Sequence, residues 1–169
     1  MILAVLAVPL STVSAQPYGV GKYNEAIPYG VQTSLSITAT DVTIPVTPVS
    51  SGALATGSSA VTVVSTDVKG FKLYIRSLST TDMDNLGVVL PASANATPLP
   101  LDINTWGYNT DGLTNFTGMT LTDTLIKSVT IPAAAGDLTT VSYGVYLDLL
   151  KPAGNYVTTV MYTAVPQTD

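Results

Sequence analysis

Two short stretches place oxygen ligands close together. Asp82, Asp84 and Asn85 stand in "DMDN"; Asp102, Asn104, Asn109 and Asp111 stand in "DINTWGYNTDG". Calcium takes hard oxygen ligands of this kind from flexible loops. No Glu closes the first loop, which reads as a solvated turn; the second is an oxygen-rich structured loop, and no metal site and no cofactor is expected. The second stretch also carries Trp106 and Tyr108, with Phe116 just beyond. Aromatic rings stack on the apolar faces of sugars, which makes these three a candidate ligand loop. The alternative is a buried Trp that anchors the core. Asn95-Ala96-Thr97 and Asn115-Phe116-Thr117 are glycosylation sequons, although such triplets also arise by chance in a Thr-rich chain.

Catalysis finds little to work with. The chain has no His, the commonest general base, and no Cys. Ser and Thr are abundant, but no G-x-S-x-G elbow occurs. Asp residues alone leave a glycosidase-like carboxylate pair formally open, without a second Glu or a clustered aromatic cleft beside it. The chain reads as a non-enzyme with no catalytic residue. Net charge is −5, and the six cations are scattered apart from Lys69, Lys72 and Arg76. A nucleic-acid partner is therefore not expected.

The elements that hold these loops are strands. Charged residues make up only 10% of 169 positions, and Thr and Ser, 40 together, carry the polar share. Thr suits a pleated surface through its branched Cβ. The 11 Pro and 13 Gly cut the chain into short segments, and ten of its eleven acids are Asp, which favours turns. Residues 31–39 alternate, with Val31, Thr33, Leu35 and Ile37 on one side. Val42, Ile44 and Val46 continue the pattern, and Pro45 suggests an edge or bulge. "TPVSSGALATGSS" reads as a loop, "AVTVVS" and "GFKLYIRS" as strands, and "LGVVL" as a short strand. "DTLIKSVTI" is another strand, followed by a turn at "PAAAGD". The run around "WGY" reads as a structured loop. "TTVSYGVYLDLL" and "YVTTVMYTAV", separated by "KPAGN", read as a closing hairpin. Val141, Tyr143, Val145, Leu147 and Leu149 form the inward row of its first strand. Its second strand is apolar on both faces and reads as central. The expected fold is all-β: a two-sheet β-sandwich, Ig-like or jelly-roll, of eight to nine strands. One domain spans 31–169, preceded by an extended segment over 1–30.

That segment is mixed. "MILAVLAVPLSTVSA" is apolar and then small and polar, ending in an A-x-A-like pattern at Val13-Ser14-Ala15. It resembles a secretory signal, although no Lys or Arg precedes Lys22. It is too short to span a bilayer as a helix, and Pro9 interrupts it. The other reading retains it as an extended strand that pairs with a neighbouring subunit. On that reading the interface residues are Ile2, Leu3, Val5, Leu6, Val8, Leu10, Tyr18, Val20, Tyr23, Ile27 and Tyr29.

"STDVKGFKLYIRS", "NTWGYNTDGLTNFTGM" and "VSYGVYLDLLKPAGNYVTTVMYTAV" together resemble a family of secreted surface proteins from Saccharibacteria-type ultra-small bacteria. Its recurrent features are a TxxxGYxLxI strand, a WGY loop and a YGVxVDxxxPAGxYxxTVxYTAV ending. Phe71 stands where Tyr is usual. The resemblance covers roughly residues 60–165 and implies a secreted or cell-surface, Ig-like, non-enzymatic domain. The function expected is structural: a subunit of an extracellular, pilus-like filament or coat, assembling with copies of itself through β-strand contacts. The alternative is a monomeric adhesin that binds a glycan or host-cell surface through the 102–118 loop.

Overall fold

The computed structural model describes residues 2–9, 34–66 and 68–167; for residues 2–9 it describes the backbone and its pairing. Eleven strands follow in chain order: β1 (Ile2–Pro9), β2 (Ser34–Ala39), β3 (Val42–Pro45), β4 (Ala53–Thr66), β5 (Gly70–Ser77), β6 (Met83–Asn85), β7 (Val88–Leu90), β8 (Thr105–Asn109), β9 (Thr124–Val129), β10 (Ala133–Leu147) and β11 (Tyr156–Gln167). No helix occurs among the described residues, so none is long and apolar enough to cross a membrane. One sheet runs β3-β1-β11-β5-β9, with β6 on the start of β11 and β7 on β6. The other runs β2-β4-β10-β8. The fold is the expected all-β sandwich, with more strands than the eight to nine read from the sequence.

The core follows from alternation. Phe71, Leu73 and Ile75 of β5, and Val141, Tyr143, Val145 and Leu147 of β10, are fully buried. Tyr156, Val160 and Tyr162 of β11 lie beside the β5 row and face the β10 row, and Val42, Ile44 and Val61 join the same cluster. Two phenols meet across the sandwich, where Tyr143 OH and Tyr162 OH share a hydrogen bond at 2.5 Å. That contact explains the main departure from expectation. β10 and β11 are not a hairpin. They lie in different sheets, because each turns an apolar row toward the other and finds its ladder elsewhere. β10 pairs with β4 from Leu147↔Ala53 down to Ala133↔Ser65. β11 lies between β1 and β5, central as its two apolar faces suggested. Leu149 sits beyond the end of β10 and is exposed rather than inward.

Four segments read as loops or turns are strand, among them the "WGY" run, which is β8. β4 begins at Ala53, inside the Gly/Ser-rich stretch. Gly57 is there for space: a Cβ would lie 2.8 Å from both Ile44 Cγ1 and Val42 Cγ1. Ala133–Gly136 form the start of β10. Met83–Asn85 form β6, and the turn falls one step later at Leu86-Gly87. Both residues have positive φ, 51° and 91°, the combination a two-residue type I′ hairpin turn requires.

Candidate functional site

The aromatic loop is the first place to look for a ligand. Residues 105–109 are β8, the edge strand paired to β10 through Val145↔Trp106 and Tyr143↔Tyr108. This pairing turns Trp106 and Tyr108 inward, while Phe116 lies over Gly107 and Gly144 on the other face of the sheet. Trp106 and Phe116 are fully buried and Tyr108 is 5% exposed. The indole Nε1–H donates to Thr81 O at 3.0 Å, and the ring packs 6.4 Å from Tyr143, tilted by 35°. Phe116 covers Gly144, where a Cβ would fall 2.5–2.7 Å from the ring. A sugar platform needs an exposed ring face, and none of the three provides one. Their role in this fold is packing, and the candidate ligand loop at Trp106, Tyr108 and Phe116 is corrected accordingly.

The oxygen-rich stretches are engaged in turn chemistry. Asp84 Oδ1 accepts from Gly87 N–H at 3.1 Å, and Asp111 Oδ1 accepts from Leu113 N–H at 3.0 Å. Asn109 Nδ2 donates to Leu113 O and Asn115 O. Asn104, at φ 64°, donates through Nδ2 to Asp148 Oδ1 at 2.9 Å. The Asn104–Asp148 bond joins two side chains far apart in sequence; the others are the local side-chain to backbone bonds that Asn and Asp make in turns. Among the described residues, no three His, Cys, Asp or Glu side chains come together as a metal-ligand group.

The two sequons differ. Asn95 Nδ2 donates to Leu99 O, Pro100 O and Phe116 O at 3.1–3.2 Å. Asn115 makes no side-chain hydrogen bond among the described residues; only its carbonyl is used, by Asn109.

The remaining candidate is the N-terminal strand. β1 runs parallel to β11, from Leu3↔Tyr156 to Pro9↔Tyr162. It runs antiparallel to β3, from Ile2↔Pro45 to Val5↔Val42. It is therefore an interior strand, and the four-residue β3 has no other ladder partner among the described residues. At the head of this slot lies a cleft lined by Val46, Thr47, Pro48, Leu149, Lys151 and Ala153. Those residues continue β3 on one side and lead into β11 on the other. Of the interface residues expected at the N-terminus, Ile2, Leu3, Val5, Leu6 and Val8 occupy register positions in β1. Leu10, Tyr18, Val20, Tyr23, Ile27 and Tyr29 lie outside the described residues, as do Val31 and Thr33.

No family model matches this chain, and no curated protein is similar to it. The functional reading rests on its own geometry. Alternation in the sequence signals β1 poorly, because "ILAVLAVP" is apolar at every position. A continuous apolar run flanked by turn residues is what an interior strand bonded on both edges looks like.

Proposed function

We propose that this chain is a structural, extracellular subunit that assembles with copies of itself into a filament or coat by exchanging β1. The observation that carries this reading is the position of β1: the N-terminal strand fills an interior slot between β3 and β11. A strand that fills such a slot in its own subunit makes the same ladder and the same packing in the slot of a neighbour. The exchange then costs few contacts, which is the basis of domain swapping. Main-chain hydrogen bonds supply strength, and pockets for alternate side chains supply register. Passed one way from subunit to subunit, the contact is head-to-tail and makes a fibre where its rotation does not close a ring.

The connection is long enough. Residues 10–33 separate Pro9 from Ser34, and 24 residues reach about 80 Å when extended. The longest strand, β10 with 15 residues, spans about 50 Å. The choice between a strand's own slot and a neighbour's is then set by the effective concentration of β1 at its own slot against the concentration of subunits. Crowding of subunits at a surface favours the polymer. Low charge and a Thr-rich exterior leave little repulsion between packed copies.

The test is solution size and negative-stain microscopy of the full chain beside a variant lacking residues 1–9. The full chain should form polymers at high concentration. The truncated chain should be a monomer, or a destabilised domain, because β3 and one edge of β11 lose their partner. Filaments from the truncated chain indistinguishable from the original would refute strand exchange. A full chain that stays monomeric at every concentration would favour the adhesin.

A further inference from the structure

We propose that Asn115 is an acceptor for an N-linked sugar and that Asn95 is not. The inference is independent of strand exchange, since the 115–117 strip borders β8 in the four-stranded sheet, and the β1 slot belongs to the other sheet. The strip is extended: Phe116 N–H donates to Leu99 O at 2.8 Å and Thr117 N–H to Tyr108 O at 2.8 Å. Successive side chains of an extended strip point to opposite faces. Phe116 is fully buried against Gly144, so Asn115 and Thr117 share the opposite face of the strip. These are the two side chains that define an Asn-x-Thr acceptor, and both are partly exposed. The Asn115 amide makes no hydrogen bond among the described residues, so a sugar on it displaces none.

Asn95 is the opposite case. Its Nδ2 supplies N–H groups to three carbonyls, Leu99 O, Pro100 O and Phe116 O. Its main chain adds two more ties, N–H to Ser93 Oγ at 3.2 Å and O from Gly118 N–H at 2.8 Å. A primary amide has two N–H donors, and glycosylation leaves one. The sugar would also have to sit among those carbonyls. Chains modified there before the loop closes cannot reach this fold.

The chemistry balances without an oxidant. The Asn115 amide nitrogen attacks the anomeric carbon of a polyprenyl-diphosphate-linked oligosaccharide. The new C–N bond forms as the C1–O bond to phosphate breaks. The polyprenyl diphosphate leaves with the electron pair, and the amide gives up one proton.

The test secretes the full chain from yeast, whose transferase uses that class of donor, and reads intact mass and glycopeptides by mass spectrometry. Thr97→Ala removes the first sequon but keeps the Asn95 hydrogen bonds; Thr117→Ala removes the second sequon but keeps Asn115. The expected result is one glycan per folded chain, retained in Thr97→Ala and lost in Thr117→Ala. Sugar on Asn95 in folded, secreted protein overturns the proposal, and so does folded protein in which Asn115 remains unmodified.

Discussion

Trp106→Ala is the sharpest test of the packing at the β8 edge. The indole is fully buried, and a Trp buries about 200–250 Å². At about 25 cal/mol per Å² that is an upper bound of about 5–6 kcal/mol. Large-to-small substitutions at such sites cost about 3–5 kcal/mol, cavity included. The change also leaves Thr81 O without the indole donor that sits 3.0 Å away, which adds about 1 kcal/mol. The expected loss is therefore about 4–6 kcal/mol, a large part of the total stability of a domain this size. Thermal midpoint should fall by about 10–20 °C, at about 2–4 °C per kcal/mol. Urea unfolding followed by far-UV circular dichroism measures it. Trp106→Phe isolates the smaller losses: it keeps one ring in the site but removes the hydrogen bond to Thr81. An Ala variant with unchanged midpoint would refute the packing role, and a loss of glycan binding at unchanged stability would restore the ligand-loop reading.

Other expectations follow from single contacts. Burial holds the Tyr162 phenol up at about 12 and the Tyr143 phenol well above its ordinary value. Both are neutral in the fold, so their contribution is full below about pH 10, the unfolded value. It is then lost as pH rises toward 12, by about 1.4 kcal/mol per pH unit for each phenol. Urea midpoints at pH 9 and pH 11 should show the fall, and Tyr162→Phe should reduce it by the share of one phenol; equal midpoints for the original chain would contradict a shared buried phenol pair. Leu86→Asn should stabilise by about 0.5–1 kcal/mol, because Leu86 is 99% exposed at φ 51° and Asn accepts that conformation with less strain; a lower melting temperature would place a packing role on Leu86. Gly144→Ala should cost about 1–3 kcal/mol by driving a methyl into the Phe116 ring, and a neutral result would mean that the ring moves aside. Chelator should leave the melting temperature unchanged, and a drop restored by calcium would assign a cation to the Asp84 or Asp111 turn.

The sequence was most readable where one strand face is wet. Phe71, Leu73 and Ile75 alternate with Lys72, Tyr74 and Arg76, and the structure buries the first three fully. It was least readable where glycine means proximity rather than a turn. Gly57 and Gly144 sit inside strands because Val42, Ile44 and Phe116 press on the backbone there, and no local signal separates that from a loop. The "WGY" stretch failed for the same reason, since Gly107 packs under Thr117 O. Short spacing between β10 and β11 suggested a hairpin. What separates them is tertiary: two inward tyrosine rows that meet face to face. The sequons were legible as triplets, but only hydrogen bonds distinguish Asn95 from Asn115. Interior placement of β1 was hidden by its lack of alternation, and the expectation that it pairs rather than spans came from its length and from Pro9.

The strand-exchange account is tested most directly by one cross-link. Ala4 and Thr43 are register partners in the β1–β3 ladder, and directly opposed antiparallel residues have Cα atoms about 4.5–5.5 Å apart, within disulfide reach. Thr43 is exposed and the chain has no Cys of its own, so an Ala4→Cys/Thr43→Cys chain has one pair to form. Oxidised after assembly and run on a non-reducing denaturing gel, it should give a ladder of covalent oligomers, because each β1 lies in a neighbour's slot. A single monomer band carrying an internal disulfide would show that β1 stays in its own subunit and would contradict the account.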